Sequence, residues 1–152
     1  MKRLLKFLRL NHSDRLRLAV GERYLLLNTL ILLGLINLGL WLLPFSTLRR
    51  LLNRISQPNS RVSQPSVHKI IWAVDVSTNF IPGAKCLARA LTCQVFMVQH
   101  GYSPELRIGV AKNEEGKLKA HAWIENQGKV VIGYLPNLSS YTPLPTLPRN
   151  LR

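Results

Sequence analysis

Two side chains in this sequence have the types and setting that covalent hydrolysis needs: the thiol of Cys86 and the imidazole of His121. Pro82-Gly83 reads as a turn feeding a helix, and Cys86 falls in the first turn of that helix. A thiol at a helix N-terminus meets the positive end of the helix dipole, a setting that favours thiolate. Small and large residues alternate from Ala120 to Glu125, ahead of the turn signal Asn126-Gln127-Gly128, so His121 is expected on a strand. An imidazole on a neighbouring strand can take the thiol proton and later return it to a leaving amine. That is the chemistry of a cysteine hydrolase. A plainer reading stands beside it: Cys86 as a small buried hydrophobe, His121 as a core histidine satisfied by a backbone carbonyl. Cys93 is assigned to the core, and His12, His68 and His100 to the surface.

The elements that position this pair can be read from periodicity. Val67, Ile70, Ile71 and Val74 mark one apolar face of a helix over Val67–Phe80. The helix bearing Cys86 runs to about His100-Gly101, where glycine ends it. Three strands follow, Leu106–Ala111, Leu118–Glu125 and Lys129–Gly133, joined by hairpin turns at 113–116 and 126–128. The tail from Ser139, with Pro143, Pro145 and Pro148, is expected to be extended and superficial or loose. Upstream, Met1–Leu10 reads as a basic amphipathic helix, with Ser13 offering a cap for the next one. The polar, proline-punctuated stretch 56–66 is the best boundary, separating a basic and hydrophobic helical region (1–55) from a core (67–138) and its tail (139–152).

Pro82-Gly83, Cys86-Leu87-x-Arg89-Ala90-Leu91, Arg107-Ile108-Gly109-Val110 and Ala120-His121-Ala122-Trp123-Ile124-Glu125 together resemble the lasso-peptide maturation proteases. These are transglutaminase-like cysteine proteases of a bacterial pathway that cut the leader from a ribosomal precursor peptide. The resemblance covers residues 82–136 firmly and the hydrophobic N-terminal half more loosely. It implies an α+β fold, a hydrophobic helical region followed by a papain- or transglutaminase-like helix packed on an antiparallel sheet. It puts Cys86 and His121 on the family's nucleophile and general base. It also implies a separate leader-binding protein and an asparagine-synthetase-like cyclase as partners. Arg89 and Trp123 are candidates for substrate contact, against the plainer readings of a solvated helix face and a packing side chain.

The third catalytic position departs from that family, which carries an aspartate on the strand after the His strand. No Asp follows Asp75. Folding Leu118–Glu125 back on Lys129–Gly133 sets His121 opposite Gly133 and next to Tyr134, so Tyr134 is the expected orienter and Asn137 the fallback. Glu125 shares the face of His121 but lies roughly 13 Å along the strand, too far to orient the ring. The expectation is a slow but active enzyme. The rival is a degenerate fold that only binds the precursor or a partner enzyme at a membrane, and a third reading is acyl transfer to an amine.

Composition narrows the partners. The formal charge is +14, about +10 of it in residues 1–72. No zinc-finger spacing, aromatic RNA-binding signature or arginine-rich recognition helix accompanies it, so nucleic acid is not expected. No metal-ligand spacing or P-loop occurs, and no cofactor is expected. Two cysteines make no disulfide framework, which fits a cytoplasmic protein. From Tyr24 to Leu48 the chain is uncharged, and the run Leu25–Leu43 within it is apolar on every side, long enough to span a bilayer. Two readings of residues 24–48 stand, a buried core helix or membrane association, with peripheral docking preferred over a span.

Overall fold

The structure, a computed structural model, describes residues 20–58 and 65–145. Among these are helices α1 (Val20–Leu42), α2 (Phe45–Ile55), α3 (Val67–Thr78) and α4 (Cys86–Gln99), then strands β1 (Glu105–Lys112), β2 (Leu118–Asn126) and β3 (Lys129–Ile132). A 3-10 turn (Leu138–Ser140) and a two-residue strand β4 (Thr142–Pro143) close the described chain. The basic helix expected at Met1–Leu10 and the Ser13 cap lie outside the described residues.

Helix starts and stops follow local chemistry. Pro44, which cannot continue the hydrogen-bond ladder of α1, ends it and opens α2. Ser66 caps α3, its hydroxyl accepting from the Lys69 amide at 3.3 Å. Gly101, at φ +85°, follows α4, as a left-handed stop requires. The hydroxyls of buried Thr29 and Thr92 donate hydrogen bonds to the carbonyls of Leu25 and Ala88, one turn back, and so enter the core at little cost.

One core joins everything. Leu25, Leu33 and Ile36 of α1 are buried with Ile70 and Val74 of α3 and with Leu91 and Met97 of α4. The stretch 56–66 therefore separates two parts of one packed unit. Ties cross it: Gln99 Nε2 donates to the Ile55 carbonyl at 2.7 Å, and Tyr102 Oη donates to the Pro65 carbonyl at 2.9 Å.

The sheet is antiparallel, in the order β3-β2-β1-β4. With helices on one side of it, the class is the expected α+β. In β1 and β2 the residues Leu106, Ala122 and Ile124 join the core shared with α4, as does Ile132 of β3. Side chains alternate across a strand, so Arg107, Gly109, His121 and Trp123, paired Arg107↔Trp123 and Gly109↔His121, share the opposite face. The tail is not loose up to residue 145. Thr142 and Pro143 pair with Val110 and Gly109, and the Leu144 amide donates to the Ile108 carbonyl at 2.7 Å. Proline is tolerated there because β4 is an edge strand.

Candidate active site

Cys86 is the first residue of α4, half-buried, while Cys93 is fully buried two turns on. Lys85, the cap residue, makes no side-chain cap, and no acidic residue sits in the first turn. The amide donors at this end thus have no side-chain acceptor at the cap and no carboxylate opposing the dipole. The two thiols differ sharply. Burial, with a further push from the Asp75 carboxylate, raises the Cys93 thiol to about 12, a rise that Arg89 partly opposes. A thiol in that state is inert at neutral pH. The assignment of Cys93 to the core stands.

His121 sits on β2, half-buried. Its Nε2 lies 2.7 Å from the carbonyl oxygen of Gly133. A carbonyl can only accept, so Nε2 carries the hydrogen, and in the neutral ring Nδ1 is the basic nitrogen. The ring stacks with Trp123, centroids 6.2 Å apart and planes at 19°, and meets Tyr141 at 5.7 Å and a 53° tilt. The imidazole is thus held on three sides, by a carbonyl, an indole and a phenol.

This corrects the expected orienter. The hairpin does bring His121 to Gly133, but the hydrogen bond goes to the Gly133 carbonyl and not to Tyr134, whose side chain is 70% exposed. Asn137 is exposed as well and precedes the 3-10 turn, its carbonyl accepting from Ser140 Oγ at 2.7 Å. The hydrogen bond is the one that the plainer reading of His121, a histidine satisfied by a backbone carbonyl, offers. The available signal was Gly133 itself, which holds φ +83°. A Cβ there would stand 2.8 Å from the Ala122 carbonyl oxygen and 2.9 Å from Trp123 Cβ. Only glycine lets β3 end this close to β2.

The other candidates also find partners. Arg89 Nη2 donates to Asp75 Oδ1, tying α4 to α3, which gives this guanidinium a packing role in place of the proposed substrate contact. Trp123 is 4% exposed, with Nε1 donating to Glu125 Oε1 at 3.0 Å and the ring filling the space above Gly109. It supports His121 and presents no surface to a substrate. Glu125 is further held by Arg107 Nε at 3.5 Å, consistent with its exclusion as the orienter. Tyr141, unremarked in a tail expected to be superficial, was missed altogether.

The thiol and the imidazole are not joined. Among the described residues Cys86 Sγ makes no hydrogen bond to His121, and the strand alternation sends the imidazole to the face that α4 does not cover. The expectation of a thiol helix packed on an imidazole-bearing sheet is met at the level of elements. It is not met at the level of a closed pair. On the imidazole's own face lies a cavity of about 450 Å³ between the β1–β2 hairpin and the terminal strap, lined by Lys112, Glu114, Glu115, Lys119, Asn137 and Tyr141 among others. Tyr141 thus borders both the cavity and the ring of His121. No group of three or more His, Cys, Asp or Glu that could hold a metal ion occurs among the described residues.

Comparison with known proteins supplies the family. No curated protein and no solved structure matches the chain significantly. A family model described as transglutaminase-like superfamily matches residues 30–146, a span that begins within α1 and runs past β4. With so much of its length inside that match, the chain belongs to the transglutaminase-like superfamily.

Proposed function

We propose that this protein is a cysteine endopeptidase that removes the leader from a ribosomally made lasso-type precursor peptide. The observation that carries the reading is the contrast between the two thiols: Cys86 opens a helix and is partly exposed, whereas Cys93 is fully buried in the core. The superfamily, which includes cysteine proteases, supports the reaction class. The leader-peptide substrate rests on the motif around Cys86 and on Ala120-His121-Ala122-Trp123.

The sulfur of Cys86 attacks the scissile carbonyl, and the oxyanion is received by the Cys86 amide and one further donor. Nδ1 of His121 takes the thiol proton and passes it to the departing amine. Water then attacks the thioester, giving up a proton to His121; the C–S bond breaks, His121 returns the proton to the Cys86 sulfur, and the free acid leaves. This proton transfer requires His121 to give up its contacts with Gly133, Trp123 and Tyr141 and to reach the thiol in the substrate complex, a rearrangement of the ring from the sheet face that α4 does not cover. Among the described residues no carboxylate hydrogen-bonds His121, so the thiolate alone balances the imidazolium and turnover is slow. The site lies in the cytoplasm, where its thiols stay reduced.

The open pair favours a second reading, a binding protein that holds the precursor or the cyclase without cutting. The experiment is to incubate the full chain with a leader-bearing precursor and its separate leader-binding protein, and to weigh the products. A leader and a core peptide that together gain one water support the peptidase. A product joined to an added amine indicates acyl transfer. Intact precursor that co-purifies with the chain indicates binding alone.

A further inference from the structure

Helix α1 has two unlike faces. Leu25, Thr29, Leu33 and Ile36 are buried against the rest of the domain. On the opposite side Leu27, Ile31, Leu35, Leu38, Trp41 and Leu42 are all more than half exposed, Trp41 at 84%. At 100° per residue these six fall within an arc of about 120°, a continuous apolar ridge roughly 22 Å along the helix. A ridge of that extent on a soluble surface marks an interaction site.

Charge identifies what covers it. Arg23 stands at the N-terminal end of the ridge, and Arg50 and Arg54 are exposed on α2 just beyond its other end, beside exposed Leu51 and Ile55. The sequence ahead of α1 adds Lys2, Arg3, Lys6, Arg9, Arg15 and Arg17 against Asp14. Stacking the ridge on a second copy would bring these cations together on a chain of formal charge +14. A protein partner would need an apolar strip with acidic ends. A bilayer with anionic headgroups offers both properties everywhere on its surface.

We propose that α1 docks in the plane of an anionic lipid surface, its ridge sunk into the headgroup–acyl boundary and its other face still packed on the domain. By length and composition the helix could cross a membrane. Crossing would strip Leu25, Leu33 and Ile36 from the core that also holds α3 and α4 and would leave that core open. Lying flat keeps both faces satisfied. The inference is independent of the catalytic reading, since it uses neither Cys86 nor His121.

The test is flotation of the full chain with vesicles of phosphatidylcholine alone and of phosphatidylcholine mixed with phosphatidylglycerol. The protein should float with the mixed vesicles, at least about tenfold more than with the neutral ones, and added salt should weaken this. The variant Leu35→Glu/Leu38→Glu should lose flotation while keeping the melting temperature of the wild type, because both side chains are exposed. Flotation unchanged in the double variant, equal flotation with both lipids, or a lipid-indifferent dimer that the double variant dissolves would each overturn the proposal.

Discussion

The carbonyl of Gly133 and Nε2 of His121 stand 2.7 Å apart. A neutral backbone dipole, and no acidic side chain, meets the ring nitrogen. It fixes which ring nitrogen carries hydrogen but does little to balance an imidazolium. In serine triads, losing the acid's charge with its shape kept costs about 10⁴ in rate. A thiolate–imidazolium pair balances its own charge and should lose less.

Gly133→Ala should disturb this arrangement in two measurable ways. The new Cβ would press on the Ala122 carbonyl and on Trp123 at a backbone angle that L residues rarely adopt. A loss of about 1–3 kcal/mol is expected in urea denaturation. Nitrogen NMR of the imidazole should show a single Nε2–H tautomer in the wild type and a mixture in the variant. A wild-type ring that is already a mixture contradicts the assignment.

Tyr134→Phe should leave both stability and precursor cleavage at wild-type levels. Its hydroxyl has no part in holding His121, because the hydrogen bond is made by the preceding residue's backbone. A fall of tenfold or more, an effect of roughly 1.4 kcal/mol, would return the orienting role to Tyr134.

Much of the fold was legible because its signals are local. The Ser66 cap, the Gly101 stop and the turns at Asn113–Gly116 and Asn126–Gly128 each carry their own chemistry, and the strand alternation fixed which residues share a face with His121. What was not legible is long-range or made by backbone. No pattern says that the Tyr141 ring returns over His121, that Asp75 on α3 claims Arg89, or that a carbonyl outcompetes two polar side chains. The run at 25–43 was ambiguous for a related reason. Its apolar residues surround the helix, and only packing shows that one half is core and the other surface.

Arg89→Met is predicted to lower stability by no more than about 1 kcal/mol, since the pair with Asp75 is partly exposed and exposed ion pairs contribute little. The Michaelis constant for the precursor should not change. A large rise in that constant with unchanged stability would give Arg89 the substrate contact that its ion pair argues against.

Alkylation separates the thiols. Iodoacetamide at neutral pH should modify Cys86 and spare Cys93, whose thiol is pushed up to about 12 and is buried. Because burial raises that value, Cys93 stays protonated as pH rises through the neutral and mildly alkaline range and becomes reactive only on unfolding. Modification of Cys93 ahead of Cys86 in the native protein is the opposing result.

The central claim is that the Cys86 sulfur is the nucleophile of a peptidase. The most direct measurement is precursor cleavage, followed by mass spectrometry, for the wild type and Cys86→Ala with the leader-binding protein present. The wild type should release the leader slowly and Cys86→Ala should release none, while Cys93→Ala retains most of the rate. Cleavage that survives Cys86→Ala, or a wild type as inactive as that variant, would contradict the account.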